Sequence, residues 1–239
     1  MVLEYADARQ TTIAKRNRHT FVLKSRALVA YAYPLLLDLA NRAVVIVGGG
    51  AVAARKAFGV LQADATHVTI IAPELKADFP SDVTHIKKTY DKGDLTAADL
   101  VFAATDSPDV NAQVVRDARA VGILVNRTDV DEADPGDFTV PATLRMGDLT
   151  ISVSAGGSPA VAARVREVIK ESLPQKWVAL SKTAKEIRRG VIGRMNDDSD
   201  RRKILIDLAS DQAADKLADG GKEALVNWLR ARHPQLELF

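Results

Sequence analysis

A glycine turn between a buried strand and a helix is the feature that most constrains the fold of this chain. Ala43–Val47 is an unbroken apolar run, typical of a central parallel strand that is covered on both faces. Three glycines follow at once, and residues 51–63 have the composition of a helix. This order of strand, turn and helix predicts the first unit of a doubly wound parallel sheet.

The turn matches the pattern G-x-G-x-x-A. Gly48 permits the tight bend, Gly50 lets the backbone approach a pyrophosphate, and Ala53 keeps the helix near the sheet. We therefore expect a bound dinucleotide on Gly48, Gly49, Gly50, Ala51, Val52 and Ala53. A glycine turn that serves packing alone is the alternative. The Lys-Ser/Thr pair of a P-loop is missing, which disfavours phosphoryl transfer.

Strands and helices alternate through the first half of the chain. Residues 67–72, 83–88, 99–104 and 122–126 are predicted as further strands, and residues 110–120 as a helix. The predicted fold is α/β, with a Rossmann-type parallel sheet and right-handed crossovers.

The pattern changes after Asp129. Residues 138–146 and 148–154 alternate apolar and polar side chains around Gly147, which predicts a hairpin, and Ser158-Pro159 begins a long helix that ends near Ser172. Three amphipathic helices are predicted over residues 177–189, 201–209 and 222–232. We divide the chain into an N-terminal extension (1–31), a Rossmann domain (32–136), a small strand-rich domain (137–173) and a helical domain (174–239).

The basic N-terminal extension is expected to be solvated, a functional basic arm being the alternative.

Two strand ends supply further cofactor contacts. The acid that binds the ribose normally follows the second strand, where this chain has Pro73 and Glu74 and no arginine for a 2′-phosphate. NAD is therefore expected in preference to NADP. Thr105 and Asp106 follow the fourth strand and should face the cofactor, although Asp106 could instead cap the next helix.

Asp129 is the acid best placed for proton transfer. The Tyr-x-x-x-Lys pair of short-chain dehydrogenases is absent, and none of the histidines follows a strand at the crevice. Asp129 comes just after the fifth strand, where a carboxylate can take up a proton. A solvated turn residue is the alternative.

Composition excludes several other classes. The 239 residues include no cysteine, so a disulfide framework, a thiolate metal site and a cysteine nucleophile are all excluded. The histidines have no ligand-like spacing, and no metal site is expected. A net charge of +2 gives no reason to expect nucleic acid. No membrane span or signal peptide is recognisable, and we expect a cytoplasmic protein.

Residues 33–172 resemble the precorrin-2 dehydrogenase/sirohydrochlorin ferrochelatase family, whose members complete sirohaem synthesis. The matching residues, in chain order, are Tyr33-Pro34-Leu35, Leu39, Val44, Ile46–Gly50, Val52-Ala53, Arg55-Lys56, Ala103–Asp106, Val110-Asn111, Val125-Asn126, Asp129, Phe138, Pro141, Ser154–Pro159 and Arg164.

The resemblance implies a homodimer with a Rossmann domain, a dimerisation domain and a helical domain. It implies NAD-dependent oxidation of precorrin-2, a tetrapyrrole, to sirohydrochlorin, with Asp129 in proton transfer or in assisting chelation. Some members also insert ferrous iron, which would enter as a substrate metal.

A polycarboxylated substrate requires cationic and amide donors. We expect them at Arg127, Arg145, Arg164 and the Gly156-Gly157-Ser158 turn, with Arg166 a further candidate; simple capping of the helix by Ser158 is the alternative.

The chain departs from the family at Ala155, where some members have a serine that can be phosphorylated, and the fused methyltransferase domain of some relatives is not recognisable. We therefore expect precorrin-2 to come from a separate enzyme. An NAD-sensing module or an inert scaffold on the same fold remains an alternative, and neither would need Asp129.

Overall fold

The computed structural model describes residues 33–129 and 134–236. A five-stranded parallel sheet with the order β3-β2-β1-β4-β5 forms its first half. The strands are β1 (Ala43–Val47), β2 (His67–Ile71), β3 (Thr84–Ile86), β4 (Leu100–Ala103) and β5 (Leu124–Arg127). The predicted parallel Rossmann-type sheet is confirmed. The predicted N-terminal extension lies outside the described residues.

Helices cover both faces of the sheet. Val44 and Ile46 of β1 face α1 (Ala51–Leu61), and Val45 and Val47 face α2 (Pro108–Ala120). Both sets of valine and isoleucine side chains are buried, since successive residues of a strand point to opposite faces. A strand apolar on both faces can only be central, as predicted.

The fifth strand begins two residues later than predicted. Gly122 has φ +78°, outside the strand region, and pairing with β4 starts at Leu124. The strand continues to Arg127, one residue beyond the prediction. A short 3₁₀ turn, Lys92–Leu95, precedes β4.

An antiparallel hairpin follows the sheet. Its strands are β6 (Ala142–Met146) and β7 (Leu149–Val153), and the turn is centred on Gly147, which has φ +59°. Helix α3 (Pro159–Ser172) contacts both strands. The hairpin and the helix start at Pro159 are confirmed.

Three further helices follow within the described residues: α4 (Gln175–Arg194), α5 (Asp198–Leu208) and α6 (Asp211–Arg232). Their shared core includes Ile187, Ile204, Leu225 and Leu229. The helix predicted over residues 222–232 follows a break at Gly220-Gly221, where Gly221 has φ +68°, and the helical segment before the break, from Asp211, was not predicted. None of the helices in the described ranges is long and apolar enough to cross a membrane. The division of the chain into these four segments stays a prediction.

Two isoleucines of α5 test whether the C-terminal helices form a true core. Ile204 is fully buried, whereas Ile206 is 62% exposed on the same helix. Ile204→Ala should lower the free energy of unfolding by about 2–5 kcal/mol, because it leaves a cavity, and Ile206→Ala by less than about 1 kcal/mol. Chemical denaturation measures both. Equal losses would contradict the packing.

Candidate active site at the carboxyl edge of the sheet

The glycine turn packs tightly against neighbouring strand ends. Gly48 has φ +134°, and its amide donates to the Ile71 carbonyl oxygen at 2.9 Å. A Cβ atom on Gly48 would lie 2.2 Å from the Ala104 oxygen, and one on Gly49 would lie 2.0 Å from the Glu74 oxygen. The first two glycines are therefore required by packing.

Gly50 faces open space instead. A Cβ atom on Gly50 would meet no heavy atom within 4 Å. Gly50 is the N-cap of α1, with no side-chain cap and no acidic residue in the first turn, so the helix presents free N–H groups. Ala53 is fully buried against the sheet, as predicted. These residues fit the pyrophosphate of a dinucleotide.

The segment after β2 lies beside this turn. Pro73 and Glu74 are exposed, and the Lys76 amide donates to the Gly49 oxygen at 2.8 Å. The backbone of residues 74–76 therefore packs against Gly49, which places Glu74 next to the glycine turn. Its predicted contact with a ribose stays a prediction.

Asn111 links the ends of β4 and β5. This residue of α2 is fully buried. Its Oδ1 atom accepts from the Thr105 amide at 3.0 Å and from the Thr105 hydroxyl at 2.8 Å, and its Nδ2 atom donates to Thr105 O and to Asp129 Oδ2, both at 3.1 Å. One amide side chain thus connects the predicted cofactor contact Thr105 with the predicted acid Asp129.

Arg127 holds the Asp129 carboxylate from the other side. Its Nε atom donates to Asp129 Oδ1 at 2.6 Å and its Nη2 atom to Asp129 Oδ2 at 3.0 Å. Nη2 also donates to the Pro108 oxygen at 3.2 Å. The two donors form a bidentate pair, the strongest common geometry between arginine and a carboxylate.

These contacts keep Asp129 ionised at neutral pH. Burial of Asp129 opposes ionisation, yet hydrogen bonds from Arg127 and Asn111 outweigh burial, and the pKa of the carboxyl lies below its ordinary value. Asp129 is therefore present as a carboxylate, the form that can accept a proton or stabilise a developing positive charge.

Ser107, rather than Asp106, caps α2. The Ser107 hydroxyl accepts from the Val110 amide at 3.4 Å, and Pro108 occupies the first turn. The alternative that Asp106 serves as the cap is therefore wrong. Asp106 is exposed beside Thr105, and its contact with a cofactor stays a prediction.

The predicted substrate contacts are distributed over several elements. Arg145 of β6 is exposed and donates to the Gln62 oxygen at the end of α1, while Arg164 is exposed on α3. Arg166 of α3 pairs with Glu167, its neighbour in sequence, at 2.6 Å. Arg127 is buried with its guanidinium on Asp129. The roles of all four stay predictions.

The Gly156-Gly157-Ser158 turn leads into α3. Both glycines have positive φ, +54° and +91°. Ser158 is the N-cap by position, but its hydroxyl makes no capping hydrogen bond, so simple capping through the side chain is wrong. The hydroxyl and the exposed turn remain candidates for a ligand.

Sequence reasoning missed the role of Asn111. The residue matched the family pattern but was assigned no function. A polar residue inside an otherwise apolar helix face is the signal that could have found it, because a buried amide needs partners. Within 33–129 and 134–236, no group of three or more potential ligands could hold a metal ion.

Residues 35–142 match a protein-family model described as putative NAD(P)-binding. Fold, turn and match together define a dinucleotide-binding Rossmann protein.

Curated relatives narrow the class. The chain is 32% identical over 212 residues to "Siroheme synthase" of Methylobacillus flagellatus, covering 86% of this chain and 44% of the relative. It is 35% identical over 175 residues to "Siroheme synthase 2" of Aeromonas hydrophila, covering 72% and 37%. This chain thus spans less than half the length of these relatives.

A solved structure has the same fold. "SirC, precorrin-2 dehydrogenase" superposes with a TM-score of 0.64 at 24% identity, covering 84% of this chain and all of that one. The resemblance to the precorrin-2 dehydrogenase/sirohydrochlorin ferrochelatase family that the sequence motifs predicted is confirmed by the similarity to these siroheme synthases.

Two glycine substitutions should separate packing from cofactor binding. Gly48→Ala should lower the free energy of unfolding by about 3 kcal/mol or more, because of the positive φ and the contact with Ala104. Gly50→Ala should leave stability within about 1 kcal/mol but weaken NAD binding about tenfold or more, because the methyl group fills the open space. Denaturation and calorimetric titration measure the two effects. Unchanged NAD affinity in Gly50→Ala would contradict the cofactor site.

Proposed function

We propose that this protein catalyses the NAD-dependent oxidation of precorrin-2 to sirohydrochlorin. The observation that carries the proposal is the hydrogen-bonded link from Thr105 through Asn111 to the ionised Asp129, beside the open glycine turn. The names of the relatives and of the solved structure support the same reaction.

The oxidation removes two electrons and two hydrogens from one carbon–carbon bond of the macrocycle. NAD, when bound, accepts one hydrogen with both electrons as hydride. The second hydrogen leaves as a proton, and the Asp129 carboxylate is the acceptor. The open side of Gly50 would orient the pyrophosphate, and Thr105 would face the rest of the cofactor.

A substrate rich in carboxylates explains the exposed cations near the hairpin. Arg145 and Arg164 are exposed, and the Ser158 hydroxyl is not used to cap α3. Guanidinium groups bind carboxylates with two parallel hydrogen bonds. These residues and the Gly156-Gly157 turn would therefore anchor the macrocycle, with its reacting bond towards Asp129.

Asp129→Asn tests the role of the acid. The amide cannot accept the proton, so kcat for NADH formation from precorrin-2 should fall about 100-fold or more, while NAD affinity stays within about twofold. NADH absorbance measures turnover. Asp109→Asn, exposed in the first turn of α2, is the matched control and should turn over normally.

The same NADH assay, applied to the wild-type protein, distinguishes an enzyme from an NAD sensor. Binding of NAD without any NADH formation would overturn the dehydrogenase and favour an NAD-sensing module. Addition of ferrous iron after oxidation then tests the chelatase step, because the metallated product has its own absorption spectrum.

We further propose that the enzyme is a cytoplasmic homodimer. Val161, Val165 and Val168 lie on one face of α3, spaced by four and three residues, and are 52%, 40% and 46% exposed. Val140, before β6, is also half exposed. An apolar stripe of this kind is typical of an interface and is covered when two copies associate.

Val165→Asp should convert the dimer to a monomer, because a charge in the centre of an apolar interface loses its hydration. Light scattering coupled to size-exclusion chromatography measures the mass. Ser172→Asp, which adds the same charge at the end of α3, should leave the dimer intact. A monomeric wild-type protein would contradict the interface.

A further inference from the structure

Arg127 is a buried arginine whose guanidinium is directed at Asp129. Only 5% of its side chain is exposed, compared with 19% for Asp129. Its two donors to Asp129 and one to the Pro108 carbonyl orient the fork inward, towards α2. The guanidinium therefore offers little surface to a large polyanionic substrate.

The charges around the pair are balanced by other contacts. Asp134, in the segment that returns along β5, interacts with Arg127 but is held chiefly by Arg119, which also binds Asp137. The contact from α2 to Asp129 comes from the neutral side chain of Asn111, which in turn is bonded to Thr105 at the end of β4. Within the described residues, Arg127 is the cation that contacts the Asp129 carboxylate.

Arg127 is fixed by the sheet, whereas Asp129 lies beyond the end of its strand. Arg127 ends β5, where it is paired with Ala103 of β4, and its backbone is fixed by the sheet. Asp129 lies two residues later, beyond the last pairing. A side chain anchored in the sheet thus holds a carboxylate that the sheet itself does not hold.

We propose that Arg127 is a positioning residue, which holds the Asp129 carboxylate ionised and oriented beside the cofactor site, and not an anchor for the substrate. This inference rests on the proposed dehydrogenase function. It reassigns a residue that sequence reasoning placed among the substrate contacts.

The consequence is a shift in the pH dependence of turnover. In the wild-type protein the pKa of the Asp129 carboxyl is lowered, so the ionised base persists to lower pH than an ordinary aspartate would. Without Arg127, burial still raises the pKa of Asp129, and only the neutral hydrogen bonds from Asn111 and from the Asp129 backbone oppose it. The carboxyl then takes up its proton at higher pH, and the acid limb of kcat moves upward.

The experiment compares Arg127→Met, Arg127→Lys and Arg116→Met with the wild type. Arg127→Met should raise the pH of the acid limb by about 1–3 units and lower kcat, with KM for precorrin-2 changed less than about threefold. Arg127→Lys keeps a charge without the bidentate fork, and its acid limb should lie between the two. Arg116→Met, an exposed arginine of α2 bound to Gln113, should match the wild type.

A carbon-13 NMR titration of labelled aspartate carboxyls measures the same effect without substrate. The Asp129 resonance is assigned by its loss in Asp129→Asn, and Arg127→Met should titrate at higher pH. Thermal unfolding of each variant establishes that it is folded, and Arg127→Lys carries the test if Arg127→Met does not fold.

The results separate the inference from the function on which it rests. An unchanged Asp129 titration in the variants would overturn the positioning role, as would a raised KM with the acid limb in place, which is the signature of a substrate anchor. Two results together would keep the positioning role and overturn the dehydrogenase. These are a shifted Asp129 titration in the Arg127 variants and no NADH formation by the wild-type protein.

Discussion

Parallel pairing of β1, β4 and β5 brings their carboxyl ends to one edge of the sheet, and the rest of the site depends on this arrangement. Val47 is paired with Ala103, and Ala103 with Arg127, so the residues that follow each strand are neighbours. The glycine turn, Thr105 and Asp129 follow these three strands in turn. Segments far apart in the sequence therefore meet at one edge of the sheet, where ligands bind in folds of this kind.

The close contact of Gly48 with Ala104 fixes the distance between the cofactor turn and the β4 end. A side chain at Gly48 would overlap the Ala104 carbonyl group. The same loop continues into Thr105, which Asn111 holds through both its backbone and its hydroxyl. Packing at the glycine turn and polar contacts at the acid are thus parts of one connected structure, and a shift in either would be felt at the other.

Burial of charge at this edge is tolerated because each charged group has a partner. Arg127 and Asp129 satisfy each other, and Asn111 uses both of its polar atoms. A buried arginine without the carboxylate would be strongly destabilising. The same pairing that makes the burial possible also lowers the pKa of the acid, so stability and chemistry have a common origin. On the positioning role proposed above, Arg127 contributes nothing to substrate binding, because its guanidinium is bound to Asp129 and is not available to a substrate carboxylate.

The amino-acid sequence by itself determined the sheet, the glycine turn, the hairpin around Gly147 and the position of Asp129 just after β5, because these depend on local periodicity and on backbone geometry. The helical segment from Asp211 to the break at Gly220-Gly221 was missed, although Ala213 before the break and Leu225 after it are buried in one core. Only the tertiary structure decided which partner each polar group has: Ser107 rather than Asp106 at the start of α2, Asn111 between Thr105 and Asp129, and Arg127 on Asp129. Those choices depend on distances between separate elements, and a linear sequence does not contain such distances until the chain is packed.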